Sequence, residues 1–156
     1  MKNQTDPFLQ DYRAIWRLVS DYMRHKQLII AYDYDNTVFD YHNKGYEFNM
    51  VIELLRQCKP YAKFIVYTHS NEDRHPYIKE YLDGNDIPYD TINEGIVWAN
   101  GKEEGKLFYS HFLDDRAGLR SAYIVLDKAI QIISQKPENL AEAREMFRER
   151  YGKIIE

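Results

Sequence analysis

Five residues stand where their types and spacing could do chemistry together: Asp33 and Asp35, Thr68, and the adjacent pair Asp114 and Asp115. Each group directly follows a short apolar run, Leu28 to Tyr32, Phe64 to Tyr67 and Leu107 to Leu113. Four carboxylates brought to one place repel one another and hold on to protons unless a cation joins them. The natural cation is Mg²⁺, a hard ion that takes one or two carboxylates, waters and the oxygens of a substrate phosphate. The i, i+2 spacing of Asp33 and Asp35 lets both side chains address one region from a turning backbone. One can then bind metal and attack while the other moves a proton. The Thr68 hydroxyl and the Lys106 ammonium are suited to holding phosphoryl oxygens whose charge must be stabilised during transfer.

The elements that must position these groups follow from hydrophobic spacing. Asp6 before Pro7 predicts a helix start, with Phe8, Tyr12, Ile15, Trp16, Val19, Tyr22 and Met23 on one face. Leu28 to Tyr32 lacks helical spacing and suits a strand buried on both faces of a parallel sheet. Asn49 is placed to cap a helix with core positions Met50, Ile52, Leu54 and Leu55, which Pro60 ends. Phe64 to Tyr67 reads as a second strand, Asn71 as the opening of a helix carrying Ile78, Tyr81 and Leu82, and Tyr89 to Ile92 as a third strand. Asn100-Gly101 is a hairpin signal. Leu107 to Leu113 is a fourth strand, followed by a helix with Leu119, Ala122, Val125, Leu126, Ala129, Ile130 and Ile133 on one face. A last helix, with Leu140, Phe147 and Tyr151, follows Pro137. This alternation implies right-handed βαβ units, hence an α/β fold with a parallel sheet and helices on both faces. The chemical residues then all lie at carboxyl ends of strands, the edge where open α/β sheets bind ligands.

Composition narrows the function classes. The chain has 156 residues, enough for one domain over 1–156: an N-terminal helix over about 1–26, a core over 27–116 and C-terminal helices over 117–156. Hydrophobic residues at 44% and charged residues at 29% are ordinary globular usage. A net charge of −4 leaves no global positive field for gripping nucleic acid, so any such contact must be local. A single cysteine, Cys58, excludes an intrachain disulfide and a clustered-cysteine zinc site. No apolar run is long enough to span a bilayer, and Met1 to Pro7 lacks a signal-peptide core, so a cytoplasmic protein without membrane contact is expected.

Ile29-Ile30-Ala31-Tyr32-Asp33-Tyr34-Asp35-Asn36-Thr37-Val38 resembles the first motif of the haloacid dehalogenase superfamily, a hydrophobic strand followed by Asp-x-Asp-x-Thr/Val. Phe64-Ile65-Val66-Tyr67-Thr68 is similar to the second motif, Lys106 is a candidate for the third, and Phe112-Leu113-Asp114-Asp115-Arg116 is similar to the fourth. The resemblance implies a three-layer Rossmann-like fold and hydrolysis of phosphomonoesters through an aspartyl-phosphate. In that scheme Asp33 is the nucleophile and Asp35 the general acid/base, whose backbone carbonyl also reaches Mg²⁺. Thr68 and Lys106 bind phosphate, with Lys102 the substitute for Lys106, and one or both of Asp114 and Asp115 ligate the metal. Asn36 stands where many members have Gly. Neither point where the family inserts a cap domain has room for one, which implies a cleft open to a nucleotide, a nucleic-acid end or a protein phosphoester. A small substrate also fits if a second subunit of a homo-oligomer or the aromatic loop from Phe39 to Tyr46 covers it. The Lys106 and Asp-Asp-Arg patterns tilt the substrate class toward nucleotides.

Tyr41, His69 and Arg74 are candidates for contacting substrate, Arg74 through a second phosphate or a carboxylate. Helix capping by Asn71 and surface exposure of Arg74 are the plain alternatives. His25, His42, His69, His75 and His111 show no i, i+4 metal pairing, and His111 reads as a packed core histidine. Cys58 reads as a small buried hydrophobe. The 14 tyrosines suit core edges, or stacking on bases. Arg144, Arg148, Arg150 and Lys153, alternating with Glu142, Glu145 and Glu149, read as a solvated helix face. The rival function is a catalytically silent binding or regulatory module on the same fold. A receiver domain is disfavoured because the third strand ends at Ile92-Asn93 without an aspartate.

Overall fold

Five consecutive apolar residues, Leu28–Tyr32, form β1, and all five are buried. The computed structural model describes residues 6–97 and 107–152. Within them β1 pairs in parallel with β2 (Ala62–Val66) on one side and β4 (His111–Leu113) on the other, while β3 (Thr91–Ile92) pairs with β2. The result is an all-parallel, four-stranded sheet of order β3-β2-β1-β4. Among the described residues five α-helices flank it: α1 (Asp11–His25), α2 (Asn49–Cys58), α3 (His75–Gly84), α4 (Leu119–Ile133) and α5 (Leu140–Tyr151). The architecture is α/β, and among the described residues no helix is long and apolar enough to cross a membrane.

Strand alternation divides the core. Leu28, Ile30 and Tyr32 of β1, with Phe64 and Val66 of β2, pack with buried side chains from all five helices. His111, opposite Ile30 in register, shares this face and bonds through Nε2 to the Ala122 carbonyl of α4 at 2.7 Å. The opposite face presents Ile29, Ala31 and Ile65, covered by Ile96, Leu107, Tyr109 and Phe112. The helices expected on both faces are thus seen, among the described residues, on one. The connection that crosses from β3 to β4 includes residues 98–106, which lie outside the described part, as do the hairpin signal Asn100-Gly101 and the lysines Lys102 and Lys106.

Several element starts correct the sequence expectations. Asp6 makes no side-chain cap, and Pro7–Leu9 form one 3₁₀ turn that breaks at the extended Gln10 before α1 begins. Phe8 is consequently 53% exposed rather than core, with the Arg17 guanidinium 4.4 Å from its ring centroid. Asn49 does not cap α2; Phe48 holds that place, and the Asn49 amide donates to Glu47 at 2.9 Å. The helix accordingly turns Val51, Ile52, Leu54, Leu55 and Cys58 inward and leaves Met50 69% exposed. Asn71 precedes a 3₁₀ turn, Glu72–Arg74, that leads into α3, again without a side-chain cap.

The fourth strand is shorter than Leu107 to Leu113. Ser110 ties to Ile29 by two bonds, its N–H to the Ile29 carbonyl at 2.7 Å and the Ile29 N–H to its Oγ at 3.0 Å, before the ladder starts at His111. The third strand is shorter for a similar reason. The Asp90 carboxylate accepts the Phe64 N–H at 2.8 Å, a bond that a backbone carbonyl would otherwise receive.

Candidate active site

The carboxyl ends of β1 and β4 are joined through main chain. The Asp33 N–H donates to the Leu113 carbonyl at 2.9 Å, so the residues that follow, Asp33 on one side and Asp114 and Asp115 on the other, start from a fixed separation. Each of the three carboxylates offers an oxygen, and these oxygens lie within 4.8 Å of one another. Burial, followed by the neighbouring Asp114 and Asp115 carboxylates, pushes the Asp33 carboxyl up to about 7. Converging, partly buried carboxylates hold protons in this way, and a cation joining them would oppose it. Three converging carboxylate oxygens of this kind could hold a metal ion.

Thr37 braces the cluster. Fully buried, its hydroxyl donates to Asp33 Oδ2 at 3.2 Å and accepts the Asp115 N–H at the same distance. Asp114 Oδ1 accepts the N–H of Arg116 at 2.8 Å, which orients that carboxylate within its turn. Asn36, the residue between Asp35 and Thr37, has φ of +60° and gives its N–H to the Phe39 carbonyl at 2.8 Å. Asparagine tolerates this left-handed conformation, so it serves here in place of glycine.

The carboxyl group of Asp35 takes a different direction. Arg74 forks onto it, Nη1 to Oδ2 and Nη2 to Oδ1, both at 3.1 Å, and Nη1 also donates to Ser70 Oγ at 2.7 Å. The ion pair raises the affinity of the Arg74 guanidinium for its proton. The guanidinium also lies 5.7 and 5.6 Å from the ring centroids of Tyr34 and Tyr41. Arg74 thus sits against Asp35 and Tyr41 and is not itself among the residues lining the cleft.

Thr68, buried at the end of β2, faces the same cleft. Its Oγ1 accepts the Ser70 N–H and lies 3.1 Å from Ser70 Oγ. The Asn93 side chain clamps its backbone, accepting the Thr68 N–H and donating to the Thr68 carbonyl, each at 2.8 Å. The cleft holds about 830 Å³ and is lined by Asp33, Asp35, Thr68, Asp114 and Asp115 together with Tyr41, His42, Tyr67, His69 and Arg116 among others. Tyr41 and Tyr67 are each about half exposed, at 54% and 48%.

The structure thus gathers Asp33, Asp35, Thr68, Asp114, Asp115, Tyr41 and His69 around one cleft. Two supporting residues were not picked out from sequence. Thr37 had a signal, since it is the hydroxyl residue of the Asp-x-Asp-x-Thr pattern, whereas the clamp by Asn93 depends on β3 lying beside β2 and has no local signature. Outside the cleft, Cys58 is fully buried, with its thiol pushed to a higher pKa by burial and then by Asp127, as for an inert core residue. No protein-family model, no curated protein and no solved structure matches the chain.

Proposed function

We propose that the protein is a Mg²⁺-dependent phosphomonoester hydrolase of the haloacid dehalogenase type, working through an aspartyl-phosphate on Asp33. The observation that carries this reading is the meeting of Asp33, Asp114 and Asp115, 81 and 82 positions apart from the first, within 4.8 Å at the carboxyl ends of two adjacent strands. Thr68 opens onto the same cleft from the end of β2, the strand on the other side of β1. Asp33, Asp114 and Asp115 would hold the metal. Bound there, it supplies charge neutralisation that lets an anionic nucleophile approach an anionic phosphorus.

The proposed reaction has two steps. In the first, an Asp33 carboxylate oxygen bonds to phosphorus, and the ester oxygen leaves with its electron pair and takes a proton from Asp35. In the second, water attacks phosphorus, the bond to Asp33 breaks with its electrons returning to the carboxylate, a water proton passes to Asp35, and inorganic phosphate departs. The Thr68 hydroxyl stands among the groups able to hold the non-reacting phosphoryl oxygens throughout. The loop over 36–48 contains no helix or strand, which suits an uncapped cleft accessible to a large leaving group. The half-exposed rings of Tyr41 and Tyr67 at this cleft favour a planar leaving group, and so a nucleotide or nucleic-acid end.

The test is release of phosphate from a generic aryl phosphate. Turnover should require Mg²⁺, stop in excess chelator and fall by at least about 10³-fold in Asp33→Asn, the scale expected when a nucleophile is removed. Activity that survives in Asp33→Asn would refute the proposal. Tight binding of beryllium fluoride without hydrolysis of any ester in a panel of nucleotides, phosphorylated oligonucleotides, sugar phosphates and phosphopeptides would identify the silent binding module instead.

A further inference from the structure

Asp33 and Asp35 are two residues apart on one turn, yet their carboxyl groups keep different company. Asp33 joins Asp114 and Asp115, whereas both oxygens of Asp35 are engaged by Arg74, from 39 positions further along the chain. We propose that Arg74 is the positioning residue for Asp35, resting on the phosphatase reading above. Its fork keeps the carboxylate out of the cluster around Asp33 and presents it to the cleft as the base for the water that attacks the aspartyl-phosphate.

Three features of the contact support this role. A forked guanidinium fixes the plane of a carboxylate as well as its position, which a single bond or a lysine does not. Each Asp35 oxygen spends one lone pair on Arg74, and the other remains free to take a proton. The guanidinium is itself held on several sides, by Ser70 Oγ at 2.7 Å and by the rings of Tyr34 and Tyr41 at 5.7 and 5.6 Å. Tyr34 is buried and stacked on Phe39 at 4.9 Å, so this support belongs to the core. Ser70 also contacts the Thr68 hydroxyl at 3.1 Å, so one chain of polar contacts runs from Asp35 through Arg74 and Ser70 to Thr68. Without Arg74, nothing else among the bonds seen at Asp35 would hold its carboxyl on this side of the turn.

Pre-steady-state kinetics with an activated aryl phosphate separates this role from a merely structural one. Such a leaving group needs no proton, so formation of the aspartyl-phosphate should proceed even when Asp35 is misplaced, while the attack of water should not. Arg74→Met is expected to release one equivalent of aryl oxide rapidly, followed by a steady state slower than wild type by about 10- to 100-fold, with Asp35→Asn behaving alike. The double variant Asp35→Asn/Arg74→Met should be no slower than Asp35→Asn, and Arg74→Lys should recover only part of the steady-state rate. A proportionate loss in both phases, or a double variant slower by the product of the single effects, overturns the proposal.

A second arm does not depend on turnover. In a crystal structure of Arg74→Met, or of Arg74→Lys if the first does not fold, the Asp35 carboxyl should leave its present position; finding it unmoved overturns the proposal. If wild type and Asp33→Asn are equally inactive, it is the phosphatase reading that fails, and the crystallographic arm still decides whether Arg74 sets Asp35.

Discussion

The Asn93 side chain pairs with the backbone of Thr68 on both its N–H and its carbonyl, at 2.8 Å each, as a neighbouring strand would. It thereby extends the β2–β3 ladder by one residue, to the point where the hydroxyl enters the cleft. Asn93→Ala leaves two part-buried backbone groups without these partners, each worth about 1–3 kcal/mol. It also puts a Cβ-bearing residue without asparagine's tolerance at φ of +55°. The expected outcome is a lower thermal midpoint together with weaker inhibition by inorganic phosphate, read by calorimetry and by competition kinetics.

Thr37→Val tests the brace between Asp33 and Asp115. The shapes are close, but valine supplies neither the donor to Asp33 Oδ2 nor the acceptor for the Asp115 N–H. A loss of about 1–3 kcal/mol in stability is expected from the unpartnered groups. Cation affinity should fall as well, because two of the three clustered carboxylates lose a common support. Chemical denaturation and titration calorimetry with Mg²⁺ check the two effects separately.

On the proposed reading, a divalent cation held by the folded cluster and not by the unfolded chain should raise the thermal midpoint of the protein. A stabilisation of 1 kcal/mol moves the midpoint by roughly 2–4 °C in a domain of this size. The shift should be lost in Asp114→Asn and in excess chelator, and monovalent salt at equal ionic strength should not reproduce it. Scanning fluorimetry across a Mg²⁺ series gives the answer directly.

His111 should set part of the acid limit of stability. Burial, its largest influence, and the Arg17 charge lower its pKa below the usual 6.5. The Ala122 carbonyl, which accepts a bond from its Nε2, opposes them. A folded-state pKa below the unfolded one means that the unfolded chain binds the proton more readily. The contribution is therefore complete above about pH 6.5 and is lost as pH falls toward the folded value. His111→Gln keeps a donor without titrating, so the gap between its thermal midpoint and that of wild type should narrow or reverse between pH 7.5 and pH 5.

The fold was legible where one physical effect dominates. Leu28–Tyr32 is an unbroken apolar run and becomes a strand over that same range, because both of its faces are covered. Boundaries were lost where a side chain imitates backbone. Asp90 completes a bond to Phe64 and shortens β3, and Ser110 does the same toward Ile29 before β4. Met50 was misplaced because the helix begins at Asn49 itself, which shifts the inward stripe to Val51 and Ile52. At the site, the aspartates and Thr68 could be read from their positions after strands. The pairing of Arg74 with Asp35 could not, since it depends on how the 3₁₀ turn after Thr68 folds back over the first loop.

The hydrogen bond from the Asp33 N–H to the Leu113 carbonyl spaces the ends of β1 and β4 through a peptide-to-peptide contact in which no side chain at 33, 114 or 115 takes part. Substitutions of the side chains at 33, 114 and 115 leave both partners of that contact in place. On the proposed metal-binding reading, histidine or asparagine at these places would shift the preference toward softer or more weakly held ions, so the two strand ends would serve as an interchangeable mount.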